Sequence, residues 1–109
     1  MKIPKRYQKF LKDYPDVATA YDALGTAVHS AGPLDAKTRS LIKLAISIGA
    51  RLEGAVHSHV RKALEQGATA DEIRHVVLLA LPTIGFPSMM AALSWVDDMM
   101  KESRRGRKK

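Results

Sequence analysis

Two histidines at the start of a predicted helix carry most of the chemical interest of this 109-residue sequence. His57 and His59 lie two residues apart, and two residues turn a helix by about 200°. Their side chains therefore point to different faces, so they are poorly placed to bind one ligand together. Val56, Val60 and Ala63 share one apolar stripe with His59, which directs His59 toward the core. His59 is then either a core histidine with satisfied nitrogens or a general acid or base in a small pocket.

Glu53 and His57 are four residues apart and share one face of the same helix. A carboxylate in that position would hold the imidazole and favour its charged form. The pair is open to three interpretations: a catalytic dyad, two ligands of a metal site, or an ordinary ion pair on the helix surface. A metal site would need His29 or His75 as a third ligand, so we expect no metal and no cofactor.

Arginines close in sequence to these histidines supply positive charge for an anionic substrate. Arg51 and Arg39 are the residues that we expect to hold a substrate carboxylate, because guanidinium groups bind carboxylates in a bidentate way. The chain contains no cysteine, which excludes disulfides, Fe–S clusters and thiol-based catalysis. It also lacks a Gly-rich phosphate loop, a nucleophile elbow and the HExxH zinc motif. Acid–base chemistry on a small carboxylated molecule is therefore one reaction class that these residues permit, and their types and spacing alone do not select it.

The elements that must position these residues are all helices, because no segment alternates as a strand would. Asp35 is a predicted N-cap, and Thr69 with Glu72 forms a predicted capping box. Gly49 and the residues after it predict a break between two helices. The first of them precedes the histidines and the second carries them. The sequence predicts an all-α fold of about six helices, over residues 4–12, 17–30, 36–50, 53–66, 70–81 and 86–100, with Asp16 as the cap of the second.

Two of these helices, 70–81 and 86–100, are apolar on more than one face. A helix that is apolar all round is buried, and so small a chain has little core in which to bury two of them. We therefore expect the chain to associate with copies of itself through these apolar helices.

Positive charge is concentrated at the two ends of the chain, which has a formal net charge of +7. We divide the sequence into a basic N-terminal segment (1–15), a helical domain (16–101) and a basic, disordered tail (102–109). Solvated ends are the preferred interpretation, and polyanion binding is the alternative. No aromatic residue interrupts the basic tail, so we do not expect a nucleic-acid partner. No apolar run reaches the length of a membrane span and no secretory signal is present, so we expect a cytoplasmic protein without a membrane partner.

Four stretches together resemble the carboxymuconolactone decarboxylase family, to which alkyl hydroperoxidase D is related. They are LDAKTRSLIKLAISIGA (34–50), HVRKALEQG (59–67), ATADEIRHVVLLA (68–80) and GFPSMMAAL (85–93). The resemblance covers roughly residues 30–95. It implies a small all-α subunit that assembles into homotrimers or homohexamers.

The hydroperoxidase branch of that family uses two cysteines, a histidine and a glutamate, and most of this set is missing here. His59 matches the histidine, while the cysteine positions fall on Leu52 and Ala55 and the glutamate position on Ser40. The thiol peroxidase mechanism therefore cannot operate with the residues of this chain.

The decarboxylase branch keeps the histidine without cysteines, so the resemblance implies that His59 is a general acid–base. That branch also tends to have a Glu-Leu pair at the positions held here by Ala55 and Val56, and Glu53 stands two residues earlier. We predict His59 as the proton donor, with Glu53 and His57 beside it. The alternative is a non-catalytic oligomeric binding or scaffold protein that retains the fold.

Overall fold

The computed structural model describes residues 3–107, and it describes the side chains as far as Ser103. Within that range the secondary structure is helical throughout, as the sequence predicts. The chain divides into two compact units, one ending at Leu34 and one beginning at Asp35. The helices are α1 (Lys5–Asp13), α2 (Pro15–His29), α3 (Ala36–Gly49), α4 (Glu53–Glu65), α5 (Ala70–Leu79), α6 (Leu81–Ile84) and α7 (Phe86–Arg107).

The first unit consists of α1 and α2, which are separated by Tyr14 alone. Pro15 occupies the first turn of α2, where its fixed φ suits a helix and its missing N–H is not needed. The prediction that Asp16 caps this helix was wrong, because α2 begins one residue before it. Asp16 instead lies inside the first turn, where its carboxylate interacts favourably with the helix dipole.

One face of α2 is apolar along its whole length. Val17, Tyr21, Leu24 and Val28 recur at the spacing that the sequence predicts for a single face, and more than half of each side chain is exposed. We call these four residues the α2 stripe. Apolar side chains exposed in a continuous row mark a surface that can bury further area against a partner.

The second unit contains α3 to α7 around one hydrophobic core. Helix α4 packs most extensively against α3 and α7 and also touches α5. Its buried residues recur at positions 56, 60 and 63, which is the stripe predicted from the sequence. The other fully buried side chains of the core come from α3, α5 and α7, and the largest of them are Leu44, Ile73, Val77 and Val96.

Local signals define the starts of α3, α4, α5 and α7 as the sequence predicts. The Asp35 carboxylate accepts a hydrogen bond of 2.8 Å from the Thr38 amide at the start of α3. Thr69 and Glu72 form the reciprocal capping box of α5, with bonds of 3.0 and 2.9 Å. The break between α3 and α4 falls at residues 50–52, where Arg51 adopts a positive φ of 59°. This short connection brings α3 and α4 side by side.

The helix predicted over 70–81 is interrupted. Helix α5 ends at Leu79 and the four-residue α6 follows, with Pro82 in its first turn. Proline has no N–H to donate and clashes with the carbonyl four residues earlier, so the α5 pattern cannot continue through it. Leu78 and Leu79 are about half exposed, so this helix is not buried on all sides within the chain. Its burial against another copy stays a prediction.

The last helix is longer than the predicted 86–100. Helix α7 continues to Arg107, so residues 102–107 of the predicted basic tail are helical. Residues 1–2 of the predicted N-terminal segment and residues 108–109 of the tail lie outside the described range. Across residues 3–107, no helix is long and apolar enough to cross a membrane.

Candidate functional site

His59 is half-buried on α4 in an environment of positive charge. Its pKa is lowered from the ordinary value of 6.5 to about 4. Burial is the largest cause, because it penalises the charged imidazolium, and repulsion from Lys62, Lys43 and Arg61 adds to it. The charged groups that act on the pKa of His59 are therefore cations, and His59 is neutral at pH 7.

Two helices contribute to this environment. On α3, Arg39 and Lys43 are four residues apart, and on α4 Lys62 follows His59 by three, so each pair shares a helix face. Burial lowers the pKa of Lys43, and Lys62 and Arg39 lower it further by repulsion. We call Arg39, Lys43, His59 and Lys62 the cationic cluster.

Arg61 has a smaller effect on the pKa of His59 than Lys62 or Lys43 has. Its guanidinium Nε lies 3.6 Å from the Glu65 carboxylate, one turn further along α4. Lys62 and Lys43 are therefore the cations with the largest effect on the imidazole.

An anion between α3 and α4 would relieve repulsion that the free protein carries. Mutually repelling cations in a partly desolvated place stabilise a carboxylate more strongly than the same groups would in open water. The neutral imidazole adds one N–H donor and one acceptor. The arrangement therefore presents positive charge and a proton-exchanging ring side by side, which is the chemistry that a small carboxylate would require.

Glu53 and His57 share a face of α4, as predicted, but they form only a loose pair. The His57 Nε2 and the Glu53 carboxylate oxygen are 3.9 Å apart, which is too long for a hydrogen bond. Among the described residues, His57 Nε2 is buried and has no hydrogen-bond partner. Neither residue is among the charged groups that act on the pKa of His59.

The two arginines predicted to hold a carboxylate are placed differently. Arg39 belongs to the cationic cluster through its effect on Lys43. The guanidinium of Arg51 donates a hydrogen bond to the Ser88 hydroxyl in the first turn of α7. Since Ser88 is buried, this bond ties the α3–α4 connection to α7. The substrate-holding role of Arg51 stays a prediction.

The position that would hold the glutamate of a peroxidase relay carries a hydroxyl that is already engaged. The Ser40 hydroxyl donates a hydrogen bond of 2.9 Å to the Ala36 carbonyl within α3. Leu52, at one cysteine position, is more than half exposed just before α4. Of the two cysteines, the histidine and the glutamate of that relay, this chain therefore retains the histidine, His59. The charged groups that act on His59 are cations.

No group of three or more His, Asp or Glu side chains in the described part of the chain is arranged to hold a metal ion. Within the second unit, His75 is thus not brought to the Glu53–His57 pair as a third ligand.

The sequence pattern of the carboxymuconolactone decarboxylase family matches residues 15–98, which is most of the chain. The chain belongs to this family. Among solved structures, a carboxymuconolactone decarboxylase family protein from Legionella pneumophila superposes with a TM-score of 0.76 and 27% identity, over 89% of this chain and 87% of that one. A family protein from Thermotoga maritima superposes with a TM-score of 0.68 over 94% and 90% of the two chains. At 22% identity, this second likeness concerns the fold alone.

Two relatives match the chain at the level of sequence. An uncharacterized protein from Haemophilus influenzae is 39% identical over 61 residues, and these cover 56% of this chain and 54% of that protein. The 4-carboxymuconolactone decarboxylase of Acinetobacter baylyi is 28% identical over 65 residues, or 60% of this chain and 48% of the enzyme. The alignments therefore span about half the length of each relative.

Lys43 and Lys62 are the members of the cationic cluster that the sequence did not single out. Their spacing held a signal, because Lys43 follows Arg39 by one helical turn and Lys62 follows His59 by nearly one. What the sequence lacks is the pairing of α3 with α4, which brings the two faces together. Ser88 was missed for the same reason, since it is 37 residues from the arginine that it binds.

Proposed function

We propose that this member of the carboxymuconolactone decarboxylase family binds a small carboxylated molecule at the cationic cluster and transfers a proton to it through His59. The observation that carries the proposal is a half-buried, neutral histidine whose charged neighbours are cations. The similarity to the decarboxylase of Acinetobacter baylyi supports decarboxylation, or a related reaction of a lactone acid, as the chemistry.

Decarboxylation gives each group of the cluster a separate task. The bond between the carboxyl carbon and its neighbour breaks, CO₂ leaves, and the electron pair stays on the neighbouring carbon until a proton arrives there. Arg39, Lys43 and Lys62 hold the carboxylated substrate and stabilise negative charge near the reacting carbon. His59 delivers the proton, so that one proton is consumed and one CO₂ is released.

Substrate binding itself makes His59 a proton donor. In the free protein its pKa of about 4 keeps the ring neutral at pH 7. A bound carboxylate offsets the repulsion from Lys43 and Lys62, so the pKa of His59 rises and the ring takes up a proton. This proton is the one donated to carbon, and the ring returns to its neutral form when product leaves.

The direct test is turnover of 4-carboxymuconolactone, followed as CO₂ release, by wild type, His59→Gln and His57→Gln. The two variants make the same change two residues apart on different faces of α4, so the second is a matched control. Removing a general acid lowers rates by about 10²–10⁴-fold, and we expect this for His59→Gln. The control should stay within about threefold of wild type. Equal activity of the two variants would refute the role of His59.

A non-catalytic binding protein is the second candidate, favoured by the engaged hydroxyl at Ser40 where the related relay has an acid. NMR of the His59 ring with a small dicarboxylic acid such as succinate separates the candidates. A raised pKa of His59 without turnover would indicate a binding protein. A raised pKa together with CO₂ release indicates the enzyme. An unchanged pKa of His59 together with no turnover would refute both candidate functions.

A further inference from the structure

Helix α3 ends at a residue whose backbone conformation normally belongs to glycine. The Leu52 amide donates to the Ser47 carbonyl and the Arg51 amide donates to the Ile48 carbonyl, each over 3.1 Å. This pair of bonds is the Schellman motif, in which the residue after the helix cap adopts the left-handed conformation. Here that residue is Arg51, with a φ of 59°. A residue with a Cβ is strained there, because the Cβ approaches a carbonyl oxygen of the backbone.

Helix α4 ends in the same motif, with glycine at the left-handed position. The Ala68 amide donates to the Ala63 carbonyl over 2.9 Å, and the Gly67 amide donates to the Leu64 carbonyl over 3.1 Å. Gly67 has a φ of 91°, and a Cβ at this position would meet no atom within 4 Å. Glycine is therefore favoured at 67 by the backbone conformation and not by a lack of space. An arginine at the equivalent position of the α3 motif indicates a task for its side chain.

The side chain of Arg51 reaches a third helix. Its guanidinium donates a hydrogen bond to the Ser88 hydroxyl, and Ser88 is buried in the first turn of α7. The two residues are 37 positions apart in the chain. The bond therefore joins the connection between α3 and α4 to α7.

The connection that contains Arg51 decides how α3 lies against α4. It consists of residues 50–52 alone. Helix pairs joined by so few residues adopt a few characteristic conformations, and the angle between the two helices follows from the one adopted. The cationic cluster has members on both of these helices. Its geometry therefore depends on the backbone of the connection.

We propose that Arg51 is a positioning residue for the cationic cluster. The left-handed backbone of Arg51 sets the angle between α3 and α4, and its bond to Ser88 holds that backbone in place against α7. Residues in sparsely populated conformations persist only where the surrounding structure holds them. Arg51 thereby fixes how close His59 lies to Lys43 across the two helices. The inference rests on the function proposed for His59, and it differs from the substrate contact predicted for Arg51 from the sequence.

Loss of the bond should loosen the packing of α3 on α4, and the pKa of His59 reports this. Burial and repulsion from Lys43 both lower that pKa, and both depend on α3 lying close to α4. If the two helices separate, the ring gains solvent and the lysine recedes. The pKa of His59 then rises toward its ordinary value of 6.5. A residue that contributed only to stability would leave this pKa unchanged in the folded protein.

NMR titration of the His59 ring tests the proposal, and the ring signal is the one missing from His59→Gln. Arg51→Gly suits the left-handed backbone and removes the side chain, while Ser88→Ala keeps Arg51 and removes its acceptor. Each should raise the pKa of His59 from about 4 to about 5 or higher. Arg51→Lys retains a donor at the end of a long side chain, so it should keep the pKa near 4.

Arg74→Gln is the matched control. Arg74 lies on α5, and its guanidinium donates a hydrogen bond of 3.2 Å to the Asp97 carboxylate on α7, so this variant also removes an arginine bond to α7. The pKa of His59 should stay near 4 in this control. Circular dichroism should show wild-type helicity in every variant. The proposal is overturned if either Arg51→Gly or Ser88→Ala leaves the pKa of His59 near 4, or if Arg74→Gln raises it equally.

Release of CO₂ from 4-carboxymuconolactone provides the second measurement. Displacement of a catalytic group by about 1 Å can cost about 10²-fold in rate, so Arg51→Gly should be about 10–100-fold slower than wild type. Arg51→Lys should recover most of the rate. If wild type releases no CO₂, the proposed function fails, and the comparison of pKa values still decides the role of Arg51.

Discussion

Because the pKa of His59 is lowered, the free energy of unfolding depends on pH. Substituting His59 should remove this part of the dependence. The folded protein holds the pKa of His59 at about 4, and the unfolded chain should have the ordinary value of 6.5. Between these values the unfolded chain binds a proton that the folded protein excludes. The contribution of His59 to stability is therefore present above pH 6.5 and is lost as the pH falls toward 4.

The size of this effect follows from the interval between the two values. Each pH unit is worth about 1.4 kcal/mol of unfolding free energy, so the ceiling is about 3 kcal/mol. His59 is only half-buried, and solvent screens the repulsion from its lysine neighbours. We therefore expect about half of the ceiling, or roughly 1.5 kcal/mol.

Urea unfolding of wild type and His59→Gln at pH 7 and pH 4.5 measures this quantity. Glutamine does not titrate, so His59→Gln should lose about 1 kcal/mol less than wild type over this pH interval. Other groups such as Glu72, whose pKa is lowered by its bonds to Lys37 and Thr69, affect both proteins equally. If His59→Gln loses as much stability as wild type, the burial and cationic surroundings of His59 are refuted.

Three further predictions concern stability and are checked by the same urea unfolding. Thr69→Ala removes the cap of α5 and should cost about 1 kcal/mol; no change would mean that the capping box contributes nothing. Leu44→Ala leaves a cavity in the core and should cost about 2–5 kcal/mol, while Ile46→Ala, on the exposed side of α3, should cost less than about 1 kcal/mol. Gly67→Ala should destabilise by about 1 kcal/mol or more because φ is +91° there. Gly54→Ala, within α4 and with open space around it, should be neutral or stabilising.

The fold was predictable because its signals are local. The caps at Asp35 and Thr69, the weak segment after Gly49 and the spacing of apolar residues fix most helix bounds without reference to the rest of the chain. The errors also have local causes. Pro15 begins α2 one residue before Asp16, and Pro82 separates α6 from α5, because proline at the first turn of a helix starts a helix as readily as it ends one.

The candidate site was predictable only in part because its residues meet across two helices. His59 was identified from its own helix, and its half-buried position agrees with the predicted stripe. Two of its charged neighbours, Lys62 and Arg61, lie on α4 itself. The effect of Lys43 depends on how α3 packs against α4, which no spacing within one helix can show. Arg39 was identified as a substrate-binding residue and lies in the cluster, while Arg51 is hydrogen-bonded to α7.

The homo-oligomer expected from the sequence stays a prediction. The sequence pointed to the helices over 70–81 and 86–100, and Leu79 and Met90 are exposed apolar residues on them. The apolar face of α2 that carries Val17 and Leu24 is exposed as well. Apolar spacing alone cannot distinguish such an exposed face from one that is buried within the chain.

The cationic cluster and an apolar groove between α3 and the pair α5 and α6 use different faces of one helix. On α3, Arg39 and Lys43 lie roughly 130° around the axis from the residues that line the groove, such as Leu41 and Ala45. A molecule that fills the groove should therefore leave the pKa of His59 near 4. If filling the groove instead shifts the pKa of His59, the occupant must alter the packing of α3 on α4.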